Sequence, residues 1–197
     1  MPDRPRTTQP PAVFRAAVES VNAAKTRAEL SIGTIPSPTG LAPWSIALAA
    51  DVVPALHGSD SELGTGRFIL LHDPDEPEAW GGAFRVVCFA GAPLEAEIGI
   101  DPFLADVAWS WLVEALSLRD AEYEFISGTA TKTISTGFGE IASQVDGAQI
   151  ELRASWTPTD RNFSAHVEAW SELLCMLAGL PPAEGVSLMS SHRVGRG

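Results

Sequence analysis

The chain has 197 residues, 45% of them hydrophobic, which is enough to bury one sizeable core, and nothing in it marks a boundary between two independent halves. Twenty-five acidic side chains face 13 basic ones for a formal net charge of −12, and residues 29–124 carry sixteen carboxylates against three arginines, Arg67, Arg85 and Arg119. Such a surface repels phosphate backbones and argues against nucleic-acid binding; no run reaches the roughly 20 apolar residues of a membrane-spanning helix, and with a polar, proline-rich start no export signal is expected.

Residues 1–9 read as a disordered N-terminus, and residues 10–183 as a single α+β domain. From Pro10 the apolar positions Val13, Phe14, Ala17 and Val21 recur at helical spacing, with proline at the start where a helix tolerates it. A short strand is expected over 29–35, and the cluster Pro36-Ser37-Pro38-Thr39-Gly40 is a loop by its turn chemistry. Three apolar runs, 44–53, 67–71 and 83–90, are separated by Gly, Pro, Ser and Asp clusters and read as strands, although Ser45 to Ala50 also contains good helix formers.

Asp101-Pro102 opens the clearest helix, about 102–118, with Asp101 expected at its N-cap. Strands are expected over 122–136 and 149–156 around a glycine-rich loop, followed by a last helix over about 162–178 that Gly179 and Pro181-Pro182 stop. Residues 184–197 are small, polar and weakly basic, a flexible tail. Short connections predict an antiparallel sheet of about five to six strands with three helices mainly on one face, in the order α-β-β-β-α-β-β-α. The second part echoes the first: two strands, then a helix carrying Ala108-Trp109-Ser110 or Ala169-Trp170-Ser171.

Cys88 and Cys175 sit in apolar runs, where a free thiol acts as a small core hydrophobe, so both are expected to be reduced and the compartment cytoplasmic. The arginine excess over lysine, eleven to two, points to a GC-rich genome as much as to chemistry.

Four phrases carry a resemblance: Asp101-Pro102-Phe103 through Trp109-Ser110-Trp111-Leu112; Gly128-Thr129 through Phe138-Gly139; Arg153-Ala154-Ser155-Trp156-Thr157-Pro158; and Leu173-Leu174-Cys175-Met176-Leu177 through Pro181-Pro182. Over roughly residues 11–185 the chain resembles an actinobacterial family of uncharacterised proteins, domain of unknown function 3000. That resemblance implies a cytoplasmic actinobacterial protein and no particular activity. In element order alone the chain is similar to the type III secretion chaperone-like fold, whose members are small, acidic and often dimeric; order does not determine function.

Several constellations could carry chemistry. His72, Asp73, Asp75 and Glu76 form an acidic loop with oxygen ligands for a hard cation, but the Asp-Pro and Glu-Pro pairs are ordinary turn formers and the spacing is not that of a calcium loop, so no metal is expected. Thr129, Thr131, Thr133 and Ser135 share one face of a strand and Lys132 takes the other; a hydroxyl ladder can bind an anion, while threonine also favours half-exposed strands for its shape. The segment lacks the glycine before lysine of a phosphate loop. His166 falls on the apolar face of the last helix between Leu173 and Leu177, where it could act as a base or simply hydrogen-bond at the rim of the core. His57 and His192 fall in loops.

The second helix has a very wide apolar arc, with only Asp106, Ser110, Glu114 and Ser117 as its polar strip. A helix on a sheet needs a narrower stripe, so part of this surface, through Trp109, Trp111, Leu112, Val113 and Leu116, is expected to meet another helix or a partner, with Val107, Trp111 and Ala115 turned inward. The expected function is a non-enzymatic, cytoplasmic protein-binding module, chaperone-like and dimeric, without cofactor, nucleic acid or membrane. The alternative is an enzyme or small-ligand or anion binder using His166, the Thr129 to Ser135 strand with Lys132, or the acidic loop at His72.

Overall fold

The computed structural model describes residues 9–53, 63–141 and 147–181. Nearly all of the expected disordered start, the tail from residue 184, and the loop histidines His57 and His192 lie outside these residues.

Among the described residues four α-helices and six strands follow in the order α1 (Ala12–Asn22), β1 (Leu30–Ile35), β2 (Trp44–Val52), β3 (Thr65–His72), β4 (Phe84–Leu94), α2 (Ala96–Gly99), α3 (Leu104–Leu118), β5 (Tyr123–Ser135), β6 (Gly147–Pro158) and α4 (Phe163–Leu177). The strands form one antiparallel sheet ordered β1-β2-β3-β4-β6-β5. The α+β class and the short-turn topology expected from the sequence hold, with β1 completing six strands and the single-turn α2 inserted before α3. The helix-forming stretch Ser45 to Ala50 is strand, because β2 gains a hydrogen-bonded ladder on both sides that outweighs local preference.

Alternation along the strands separates the two sheet faces. Ile46, Leu48 and Ala50 of β2, Phe68 and Leu70 of β3, Val86, Cys88 and Ala90 of β4, and Ile150, Leu152, Ala154 and Trp156 of β6 are buried beneath the helices. The central helix α4 buries Trp170, Leu173, Leu174 and Cys175 on this face and is flanked by α1 and α3. The larger aliphatic and phenylalanine side chains among these each contribute about 1.5–3 kcal/mol on burial, so this layer is the core. Among the described residues no helix lies on the opposite face.

The Ala-Trp-Ser echo has a structural counterpart. Phe89 of β4 faces Arg153 of β6, and the neighbouring pairs Cys88–Ala154 and Ala90–Leu152 flank it symmetrically. A half-turn about that pair therefore interchanges β3-β4-α3 with β5-β6-α4. Trp170 of α4 lies over Gly66 of β3, where an added Cβ would come within 2.9 Å of its ring, and Trp109 of α3 lies over Gly128 of β5, with the corresponding distance 2.7 Å. Each helix thus crosses to the hairpin of the other unit, and glycine is required beneath each indole.

Ion pairs tie the layer together at one end. Glu172 of α4, 2% exposed, receives Arg27 at 3.2 Å and Arg119 at 3.4 Å, while Glu168 takes a second Arg119 nitrogen at 3.0 Å. The segment after α1 and the end of α3 are thereby locked to α4.

Candidate functional site

The helix-free face of the sheet holds a groove of about 780 Å³, within the size range of small-molecule sites. Its floor is Ile69, Val87 and Phe89; its walls bring Arg67, Thr65, Ser127, Thr129, Arg153 and Ser155 together. The register explains the convergence: Arg67 of β3 faces Phe89, Phe89 faces Arg153, and Arg153 faces Thr129 on the neighbouring strand. Four adjacent strands deliver one row of side chains to one face, as the period of two requires. The Arg153 guanidinium stands 5.6 Å from the centre of the Phe89 ring and 3.3 Å from Glu151.

One end of the groove is closed by a latch. Arg85 donates to the Phe125 carbonyl at 3.1 Å, to Thr157 Oγ1 at 3.0 Å and to Ser155 Oγ at 2.7 Å, and Thr157 Oγ1 in turn donates to the Trp80 carbonyl. Phe125 sits in a break of register between Glu124 and Ser127 with a positive φ of 51°, and its ring packs across Gly81. A bulge of this kind redirects an edge strand beside a site at a backbone cost of about 1–3 kcal/mol. At the other end, one row along the strands, stand Asp51 and Glu151.

The sequence candidates distribute unevenly over this geometry. Thr129 lines the groove, and Thr131 and Thr133 continue along the same face of β5. Lys132 points to the helix side and donates to the Asp101 carbonyl at 2.7 Å, so it does not join the hydroxyls. His166 is 0% exposed beneath the helices; Trp156 Nε1 donates to its Nδ1 at 3.0 Å, so Nε2 carries the proton and faces Asp160 Oδ1 at 3.6 Å. Burial pushes the imidazole down to about 4, against the raising influence of Asp160. It is a neutral core histidine, remote from the groove.

His72, 2% exposed, turns inward between Phe14 and Phe84 and donates from Nδ1 to the Ala83 carbonyl at 3.0 Å; burial lowers its pKa. Its loop partners face away: Asp73 Oδ1 accepts from the Asp75 amide, and the Asp73 carbonyl accepts from the Glu76 amide, forming a turn. Among the described residues no group of three or more His, Cys, Asp or Glu side chains could hold a metal ion.

On α3 the expected orientation is corrected. Leu112 and Leu116, placed at an interface from the sequence, are 0% exposed and belong to the chain's own core, while Val107, expected inside, is exposed. Trp109, Trp111 and Val113 are half-buried, Trp109 against β5. The polar strip of Asp106, Ser110, Glu114 and Ser117 is exposed as expected, but it is so narrow beside the wide apolar arc that it did not decide which apolar flank met the sheet. Its start is also shifted: Asp101 caps a turn ahead of α3 by accepting the Phe103 amide at 2.8 Å, and the helix begins at Leu104.

Sequence reasoning missed the groove residues Arg67, Phe89, Arg153 and Ser155. The one available signal was that Arg67 and Arg85 are two of only three Arg or Lys residues within residues 29–124 and fall in consecutive strands.

Cys88 and Cys175 are free and buried, and burial pushes both thiols up to about 12, so neither is a ready nucleophile. No helix among the described residues is long and apolar enough to cross a membrane. No curated protein and no solved structure matches the chain. A family model does match residues 10–187, nearly the whole of the described fold, and by that match the chain belongs to DUF3000, a protein family of unknown function.

Proposed function

We propose that the protein is a non-enzymatic binding module whose ligand sits on the helix-free face of the sheet. The observation that carries this reading is the groove itself: an apolar floor of Ile69, Val87 and Phe89 with convergent arginine and hydroxyl groups, closed at one end by the Arg85 latch. Both described histidines, His72 and His166, lie on the other side of the sheet, so the groove offers groups for recognition rather than a poised base. The reading takes the protein as cytoplasmic and actinobacterial, in keeping with two free buried thiols and the arginine-rich, lysine-poor composition. The test is to purify the chain from its native cytoplasm, denature it, and identify released small molecules by mass spectrometry beside a Val87→Trp variant that fills the groove. A compound retained by the wild type and absent from the variant is expected; identical contents in both, with both folded, would refute the reading.

A second reading, a protein partner, is favoured by the apolar surface at the start of α3, where Ile98, Ile100, Phe103 and Val107 are exposed. Glu95, Glu97, Asp101 and Asp106 rim it, so two copies would oppose each other in charge and a basic partner fits better than a dimer. Sedimentation of the wild type and of Phe103→Glu at high concentration tests this: a monomer in both cases is expected, and a wild-type dimer that the substitution dissociates would restore self-association.

A further inference from the structure

We infer that the ligand of the groove is a small organic anion attached to a flat apolar body, with Arg67 and Arg153 as its anion clamp. The inference rests on the groove being the binding site and adds the chemical class of the occupant.

The argument begins with spacing. Arg67 and Arg153 flank Phe89 on neighbouring strands, and strands lie about 4.8 Å apart, so the two arginine backbones stand about 10 Å apart with a phenyl ring between them. That span admits a one- or two-ring body beside Phe89, whose ring the Arg153 guanidinium faces at 5.6 Å, with an anionic group reached from either side. Guanidinium groups present paired N–H donors that match the oxygens of a carboxylate or a phosphate.

Availability comes next. Arg85 is committed to three acceptors of the latch, whereas Arg67 is exposed and makes no hydrogen bond or ion pair among the described residues. Arg153 is 68% exposed, and its pair with Glu151 is a surface contact of the kind contributing little, so an incoming anion can displace it. The hydroxyls of Ser127, Thr129 and Ser155 lie within the same walls and supply further donors.

Charge then orients the ligand. The chain as a whole carries −12, so an anion approaching at random is repelled and only a local cationic cluster can hold it. Asp51 and Glu151 stand one row along the strands beyond the arginines and make that end of the face acidic. An anionic group is therefore excluded from that end, and the apolar body extends the other way, over Ile69 and Val87 toward the latch at Phe125. Ligand length is limited by that latch, and charge position by the arginine row.

The test uses the full chain and three probes that share one ring system: 2-naphthoate, 2-naphthyl phosphate and the neutral 2-naphthamide, titrated by calorimetry. The variants are Arg67→Gln, Arg153→Gln and the groove-filling Val87→Trp, each checked by thermal melting. At least one anionic probe is expected to bind about tenfold or more tighter than the amide, as a charge-assisted hydrogen bond implies. Each arginine substitution should weaken that anion by about tenfold while leaving the amide unchanged, and Val87→Trp should abolish both. Preference for naphthoate assigns the anion as a carboxylate and preference for naphthyl phosphate as a phosphate; either supports the clamp. Equal binding of all three probes, untouched by the arginine variants yet lost in Val87→Trp, would overturn the anion assignment and leave the groove standing. Binding that survives in a folded Val87→Trp protein, or no binding of any probe at millimolar concentration, would overturn the inference together with the site on which it rests.

Discussion

Gly128→Ala tests the contact that joins the helix layer to the groove. A Cβ at this position would stand 2.5 Å from the Arg153 carbonyl oxygen, 2.7 Å from Cζ3 of Trp109 and 3.1 Å from Cα of Ala154. Two of those atoms are backbone of the neighbouring strand, so relief requires β5 and β6 to separate by about 1 Å rather than a side chain to rotate. Overpacking of this kind costs about 1–3 kcal/mol, and the backbone partners put it at the upper end; alanine's lower unfolded-state entropy returns about 0.5–1 kcal/mol. The net expectation is a loss of about 2 kcal/mol, or about 4–8 °C in Tm for a chain of this size. Gly33→Ala on β1 is the control, because nothing lies within 4 Å of its added Cβ, and it should be neutral or stabilising by up to about 1 kcal/mol. Urea unfolding of the two variants and the wild type provides the comparison. If Gly128→Ala proves as stable as Gly33→Ala, the packing of Trp109 onto β5, and with it the paired arrangement of Trp109 and Trp170 over glycines, is wrong.

Other outcomes follow from the buried charges and from α3. His166 has a folded pKa of about 4 against an ordinary 6.5, so the unfolded chain binds the extra proton; its contribution is complete above 6.5 and is lost as pH falls toward 4, amounting to about 3 kcal/mol. Denaturant titrations of wild type and His166→Asn should therefore differ in pH slope between 4 and 6.5, and parallel slopes would place the imidazole in water. Glu172→Ala leaves Arg27 and Arg119 without their shared buried carboxylate and should cost about 3–5 kcal/mol in urea unfolding, whereas a change below 1 kcal/mol would mean the network is solvated. Trp109→Glu should lower stability by about 3 kcal/mol, since it loses indole packing and sets a carboxylate against the sheet; a variant that melts like wild type but sediments differently would return Trp109 to an interface. Anisotropy titration with double-stranded DNA at physiological salt should show no submicromolar binding, given the −12 charge.

The sequence by itself determined the elements. Apolar spacing of Phe14, Ala17 and Val21 made α1, turn residues separated β2, β3 and β4, and Gly179 with Pro181 ended α4, because these signals are local and act through backbone geometry. It also determined which face of β5 carries the threonines, since alternation along a strand needs no partner. Tertiary structure decided the orientation of α3: with apolar residues nearly all round, only the positions of α4 and β5 chose Leu112 and Leu116 as core and left Val107 outside. It decided the fate of His166 and His72, whose neighbours Trp156 and Phe84 come from other strands and whose burial, not their sequence context, lowers their pKa values. Above all it decided the groove. Arg67, Phe89 and Arg153 lie on three strands far apart in the chain and meet only through the register between β3, β4 and β6, a long-range quantity that no local pattern of residues contains.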